Sequence, residues 1–181
     1  MLETKIKELL QAIELTNKSG WNLVEKGDGG IGSPEEASVL PKSFRCYDVS
    51  DNWSVGVDIT NKFLEVQEEL AKVSKAEIML ATLYPNGGFI GWHTNANIRL
   101  HNLICTWSKT GNGLFKTFEN GQITETGDIQ GWNIKKTLWN KSDPTPHAAT
   151  TSCDRFTITF SHKWSTVIDE LEEMLTGLSQ N

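Results

Sequence analysis

Residues 154–160 read DRFTITF, and from Arg155 onward polar and apolar side chains alternate strictly. Because successive residues of a β-strand point to opposite sides, Arg155, Thr157 and Thr159 share one face, and Phe156, Ile158 and Phe160 share the other. The apolar face predicts packing beneath helices. The polar face must then meet either water or a polar cavity, and a polar cavity is typical of a barrel.

The residues before this strand continue the β pattern. Short runs rich in apolar and β-branched residues, such as EIMLATLY (77–84), IRLHNLICTW (98–107) and LFKTF (114–118), are separated by glycine- and asparagine-rich turns. Strands of this length and spacing predict a sandwich or a barrel. The region from 77 to 162 is therefore interpreted as a β core.

Segments with apolar residues at helical spacing precede and follow the β core. A first amphipathic helix is expected to end near Ser19, a second to begin near Thr60 or Asn61, and a third follows Trp164. Helices at both ends of one antiparallel core favour packing on one face of a sheet. We expect a single domain, with a helical N-terminal support at 1–76, the β core at 77–162 and a C-terminal helix at 163–181.

Composition narrows the class of protein. The chain has 181 residues, a formal net charge of −6 and no cluster of basic residues, which argues against a nucleic-acid partner. The N-terminus lacks the apolar core of a signal peptide, and no stretch reaches the length of a membrane span. Three widely spaced cysteines suggest reduced thiols. We expect a cytoplasmic protein without a membrane partner.

The stretch GGFIGWHTNAN (87–97) contains the first candidate site residues. If the chain is extended there, His93, Asn95 and Asn97 share one face. His147 comes later, shortly before Arg155. Two imidazoles and one oxygen ligand hold Fe(II) in many enzymes, and an arginine nearby grips a carboxylate through two parallel hydrogen bonds. Each histidine, taken alone, also fits an ordinary turn or loop.

The joint order of these residues resembles the Fe(II)/2-oxoglutarate-dependent oxygenases, in particular their prolyl-hydroxylase-like branch. That family's order is His-x-Asp, then His, then Arg-x-Ser/Thr. Here YPNGG (84–88) precedes HTN (93–95), GNGLFKTF (111–118) stands where the family has a Gly-Gly strand, and PHA (146–148) precedes RFTITF (155–160). The resemblance covers residues 78 to 162. It implies a mostly β fold with flanking helices (α+β), a double-stranded β-helix (jelly roll) core with helices packed on one sheet.

The resemblance also implies roles for individual residues. Arg155 would bind the C5 carboxylate of 2-oxoglutarate, Thr157 would assist it, and Tyr84 would touch the same cosubstrate. The implied metal is Fe(II), and the implied activity is hydroxylation of a small-molecule or peptidyl substrate coupled to oxidative decarboxylation of 2-oxoglutarate. The residues that map to the family's catalytic metal ligands are His93, Asn95 and His147.

Asn95 departs from the family pattern, because it stands where the family has a carboxylate. This leaves three alternatives. The amide oxygen of Asn95 binds the metal weakly, the position stays open to water or an anion, or the site has lost catalysis and keeps only the scaffold. A nearby acidic residue could replace the missing carboxylate; Asp128 and Asp143 lie in the β region, but no motif supports either. The alternative function is a non-catalytic jelly-roll binding protein, cupin-like or carbohydrate-binding, with a degenerate metal site.

Overall fold

The computed structural model describes residues 1–97 and 99–180. Ile98, the first residue of the run 98–107, and Asn181, the last residue of the expected C-terminal helix, lie outside the described residues. Within the described ranges the chain is mostly β, with strands β1 (Val24–Lys26), β2 (Phe44–Asp48), β3 (Glu77–Tyr84), β4 (Phe89–His93), β5 (Leu100–Ser108), β6 (Gly113–Glu119), β7 (Gln122–Gly127), β8 (Gly131–Trp139), β9 (His147–Thr151) and β10 (Arg155–His162).

These strands form one curled antiparallel sheet in the order β7-β6-β9-β4-β2-β3-β10-β5-β8, with β1 paired to β2. β2 joins two halves. Its residue Tyr47 pairs with Leu83 of β3, and its residue Phe44 pairs with Ile90 of β4. We call β3, β10, β5 and β8 the major half, and β4, β9, β6 and β7 the minor half. The expected jelly-roll core is confirmed.

The helices are α1 (Leu2–Leu15), α2 (Asn52–Val55), α3 (Val57–Val73) and α4 (Ser165–Leu175), the last followed by a 3₁₀ segment at Thr176–Gln180. Phe156, Ile158 and Phe160 of β10 are fully buried in one apolar cluster with residues of α1, α3 and α4. The expected packing of helices on one sheet is therefore confirmed. Among the described residues, no helix is long and apolar enough to span a membrane.

Three details of the N-terminal region differ from the sequence expectation. α1 ends at Leu15, four residues before Ser19. The second long helix begins at Val57, three residues before Thr60, and follows the short α2 after Gly56. Gly56 has a φ of 84°, a left-handed conformation that glycine adopts readily, and this separates the two helices. Residues 1–76, expected as helical support, also supply β1 and the joining strand β2.

Candidate metal site and cavity

A cavity of about 340 Å³ lies between the two halves of the sheet. Its walls come from β3, β5, β10 and β8 of the major half and from β4, β6 and β9 of the minor half, with Leu40 and Pro41 at its edge. All six residues singled out by the sequence line this one cavity: Tyr84, His93, Asn95, His147, Arg155 and Thr157. The polar face of β10 therefore meets a cavity.

An irregularity in β4 aims His93 into the cavity. Ile90 and His93 both line it, although residues three apart in a regular strand point to opposite sides. The pairing of β4 with β9 shifts between these two residues, which is the signature of a β-bulge. Bulges re-aim side chains in this way near functional sites.

His93 and His147 are direct partners across β4 and β9. Their ring centroids are 4.2 Å apart with an interplanar angle of 57°, and the two residues are 5% and 8% exposed. Two imidazoles this close, both facing one cavity, can bind a single metal ion. The structure thus brings together two histidines that are 54 positions apart in the chain.

The backbone fixes which ring nitrogen of each histidine carries the proton. The Nδ1 of His93 lies 2.8 Å from the carbonyl of Gly91, and the Nδ1 of His147 lies 3.0 Å from the carbonyl of Thr145. Because a carbonyl only accepts hydrogen bonds, each Nδ1 must donate. Both Nε2 atoms therefore keep a lone pair, as a metal ligand requires.

Both imidazoles are neutral at pH 7. Burial, together with the neighbouring His147, lowers the pKa of His93 to about 4, and the carbonyl of Gly91 opposes this effect. Burial also lowers the pKa of His147 below its ordinary value, with a contribution from the positive charge of Lys135. Neutral imidazole is the form that binds metals.

Asn95 follows β4 in a left-handed conformation, with a φ of 52°. Its backbone N–H donates to the carbonyl of Val39, and its Nδ2 lies 3.2 Å from the Nε2 of His147. The amide thus donates to the nitrogen that a metal would use. A half-turn of the amide would present the carbonyl oxygen Oδ1 to the same place.

The segment after β1 supports this end of the cavity. Ile31 accepts a hydrogen bond from the N–H of Trp92, and Ser38 accepts one from the N–H of Thr94. Ser38 also forms an isolated parallel bridge with His93. Sequence reasoning missed this contribution, because the segment is rich in glycine and proline and carries no periodic pattern.

Arg155 lies at the other end of the cavity and is 5% exposed. Its Nη1 donates to the Thr157 hydroxyl at 3.1 Å, and its guanidinium carbon lies 5.9 Å from the centre of the Tyr84 ring. Its Nε donates to Oδ2 of Asp128 at 2.7 Å, and its Nη2 lies 3.5 Å from Oδ1. The predicted carboxylate-binding arginine is therefore already paired with a carboxylate of the protein.

Sequence reasoning considered Asp128 only as an acidic residue that could replace the missing carboxylate ligand, and the structure pairs it with Arg155 instead. Asp128 lines an adjoining cavity of about 260 Å³, which shares Ile104, Phe115 and Arg155 with the first. Asp128 reaches the arginine because Gly113 has no side chain, since a Cβ there would clash with the carboxylate of Asp128. The backbone N–H of Asp128 also donates to the carbonyl of Gly113.

Two aromatic residues flank His147: Phe115, which carries no sequence motif, and Trp139, which sequence reasoning favours as a core residue. Trp139 lies parallel to its ring at a centroid distance of 6.3 Å, and Phe115 stacks at 5.9 Å. Both line the cavity. Large planar neighbours of this kind restrict the orientation of the His147 ring and reduce access of water to it.

The donor set fits a divalent metal ion at the histidine pair: two neutral imidazoles and one amide that can offer an oxygen. Among the described residues, no group of three or more His, Cys, Asp or Glu side chains could hold a metal, so Asn95 would be the third protein ligand. A carboxylate-bearing ligand also fits near Arg155. Three of its five N–H donors are engaged, which leaves two for a ligand.

The sequence matches no protein-family model and no curated protein. Among solved structures, it is similar to a 2OG-Fe(II) oxygenase family oxidoreductase from Burkholderia pseudomallei, with a TM-score of 0.50, 14% identity, and coverage of 86% of this chain and 78% of that one. A Pseudomonas putida prolyl-4-hydroxylase is matched with a TM-score of 0.45 and 13% identity, over 90% of this chain and 86% of that one. The Burkholderia likeness shows a shared fold.

Proposed function

We propose that this protein is an Fe(II)-dependent dioxygenase that uses 2-oxoglutarate as cosubstrate. The observation that carries the proposal is the His93–His147 pair, with both Nδ1 atoms bonded to backbone carbonyls and both rings facing a cavity. The fold shared with a 2OG-Fe(II) oxygenase family protein supports it. The net reaction consumes 2-oxoglutarate, O₂ and a substrate R–H, and yields succinate, CO₂ and R–OH.

At the metal end, the chain supplies orientation. His93 and His147 would hold the ion through Nε2, and Asn95 would add its amide oxygen. The carbonyls of Gly91 and Thr145 keep each ring in the correct tautomer. Bound Fe(II) supplies the oxygen chemistry, which the side chains themselves cannot perform.

At the other end, the chain supplies the residues that would bind the cosubstrate. Arg155 and Thr157 would bind the C5 carboxylate of 2-oxoglutarate, and Tyr84 would pack beside it. Burial raises the pKa of the Tyr84 hydroxyl, so this group stays neutral and remains a hydrogen-bond donor. Phe115 and Trp139 would exclude water from the space between the two ends. A small-molecule or peptidyl substrate would enter past Leu40 and Pro41.

Anaerobic titration with Mn(II) tests the metal site without requiring turnover. We expect one ion per chain and a loss of affinity of at least about 100-fold in His93→Ala and in His147→Ala, because each removes a direct ligand. His101→Ala is the matched control, since His101 lies on β5 and lines a different pocket beside α4. Equal affinities in all four proteins would contradict the proposal.

Turnover is tested by supplying Fe(II), 2-oxoglutarate and oxygen and measuring succinate. We expect succinate from the wild type, and none from His147→Ala. Metal binding without succinate would favour the second candidate, a non-catalytic jelly-roll binding protein. One contact favours that candidate, because the Nδ2 of Asn95 lies within hydrogen-bonding distance of the Nε2 of His147, where a metal would otherwise bind.

A further inference from the structure

We propose that Asp128 determines cosubstrate selectivity, by cancelling the charge of Arg155 so that the site accepts 2-oxo acids with an uncharged distal end about as well as 2-oxoglutarate. This inference rests on the proposed function, because it concerns the cosubstrate of the same site.

The ion pair of Asp128 and Arg155 is almost completely buried. The two side chains are 7% and 6% exposed, and the shortest N–O distance is 2.7 Å. Buried pairs of this kind interact strongly, because the surroundings screen them less than water does. The positive charge of Arg155 is thus met by the protein before any ligand arrives.

The position of Asp128 is built into the fold. Gly113, at the start of β6, leaves the space that the carboxylate fills, and its carbonyl accepts the backbone N–H of Asp128. Asp128 itself follows β7, whose last residue, Gly127, pairs with Leu114 of β6. The β6–β7 hairpin therefore delivers one carboxylate to the guanidinium.

Within the main cavity, the remaining groups around the arginine offer hydrogen bonds without net charge, and the positive charge of Lys135 lies on the wall of the adjoining cavity. Asp128 takes the edge formed by Nε and Nη2, while Nη1 contacts Thr157, which lines the main cavity. Among the described residues that line this cavity, Arg155 is the only one with a formal charge at pH 7. A second carboxylate brought there gains a hydrogen bond, but Asp128 repels it.

The inference is tested by calorimetry on the Mn(II)-loaded protein under anaerobic conditions. The two ligands are 2-oxoglutarate and 2-oxopentanoate, which has the same chain length but a methyl group in place of the distal carboxylate. For the wild type we expect affinities within about threefold of each other. A preference for 2-oxoglutarate above about tenfold would overturn the inference without any variant.

Asp128→Asn keeps the size of the side chain and an acceptor for the Nε–H, but it removes the negative charge. We expect 2-oxoglutarate to bind about tenfold more tightly and 2-oxopentanoate to be unchanged, because only the former has a distal charge to be repelled. Asp143→Asn is the matched control, since this exposed carboxylate gives the same change in net charge. Weaker binding of 2-oxoglutarate, or an equal gain for both acids, would contradict the inference.

Gly113→Ala provides a second variant that keeps the aspartate. Its Cβ would clash with the carboxylate of Asp128 and would lie 3.0 Å from Cδ of Arg155, so the carboxylate must shift from its present place beside the arginine. We expect the same gain in selectivity for 2-oxoglutarate, in protein shown to be folded by its thermal transition. An unchanged selectivity would overturn the inference. Absence of Mn(II) binding in the wild type would instead overturn the proposed function, and the inference with it.

Discussion

The two ends of the cavity bury polar groups in opposite ways. At the metal end, His93 and His147 are buried as neutral rings, and Asn95 is a neutral amide. At the other end, Arg155 keeps its charge and is matched by Asp128. Burial of an isolated charge is costly, so a fold must either remove the charge or pair it. In this cavity, the histidine end carries no charge, and the charge at the arginine end is paired.

The acidic residue of this cavity lies beside the arginine and not beside the histidine pair. The resembled family has an acidic residue at the metal, where this chain has Asn95. Here a buried carboxylate stands instead beside the arginine. The net charge of the two ends is zero, because Arg155 and Asp128 cancel and the other three residues are neutral: His93, Asn95 and His147. An aspartate at position 95 and an arginine without a carboxylate partner would give the same net charge. What differs is the position of the negative charge.

The largest expected effect comes from breaking the charged end. Arg155→Met leaves the carboxylate of Asp128 buried and unpaired, and we expect the free energy of unfolding to fall by about 3–5 kcal/mol. Urea denaturation followed by tryptophan fluorescence measures it. Arg155→Met combined with Asp128→Leu removes both charges and should recover most of the loss. If the single variant were as stable as the wild type, Asp128 would be reached by water and the two ends would not differ as described.

The neutral end responds to pH. His93 has a pKa of about 4 in the folded state and an ordinary value of 6.5 when unfolded. The unfolded chain therefore takes up a proton first, and stability that is present above about pH 6.5 is lost as the pH falls towards 4. We expect a loss of about 3 kcal/mol from His93 over this range, measured by urea denaturation of the metal-free protein.

His93→Gln is the control for this pH dependence, since glutamine does not titrate. Between pH 7 and pH 4 the variant should lose less stability than the wild type by about the contribution of His93. The difference is read from the two denaturation series, so that losses from carboxylates common to both proteins cancel. Parallel curves would mean that His93 titrates normally and is exposed to water.

The strand β10 shows how much could be predicted from the sequence. Its period of two placed Phe156 under the helices and Arg155 and Thr157 on the opposite face, because a regular strand leaves no other arrangement. The same rule fails in β4. The bulge between Ile90 and His93 shifts the register. Gly91 is the one residue of FIGWH that indicates an irregularity, but it does not predict which side chain the bulge turns into the cavity.

Local sequence patterns do not predict the partner of Arg155. Asp128 is 27 residues away and meets the arginine through the pairing of β6 with β7 and with β9, together with the space at Gly113. Such a contact depends on the register of several strands at once. The sequence shows a glycine at position 113, but it does not show that the side chain of Asp128 fills the space beside it.

A negative charge can be placed at the histidine end of the cavity by a single substitution. Asn95→Asp gives the site an anionic ligand, and aspartate tolerates the left-handed conformation found at this position. We expect the affinity for Mn(II) to rise about tenfold, measured by anaerobic calorimetry, because a carboxylate binds a hard divalent ion more strongly than an amide oxygen does.

Asn97→Asp separates ligation from a general effect of charge. Asn97 lines the same cavity two residues further along the chain, and its substitution adds the same negative charge. If Asn95 contacts the metal, Asn95→Asp should give the larger gain, since a direct bond outweighs attraction across the cavity. Equal gains would mean that position 95 is no ligand, and that the metal end is held by the two histidines alone.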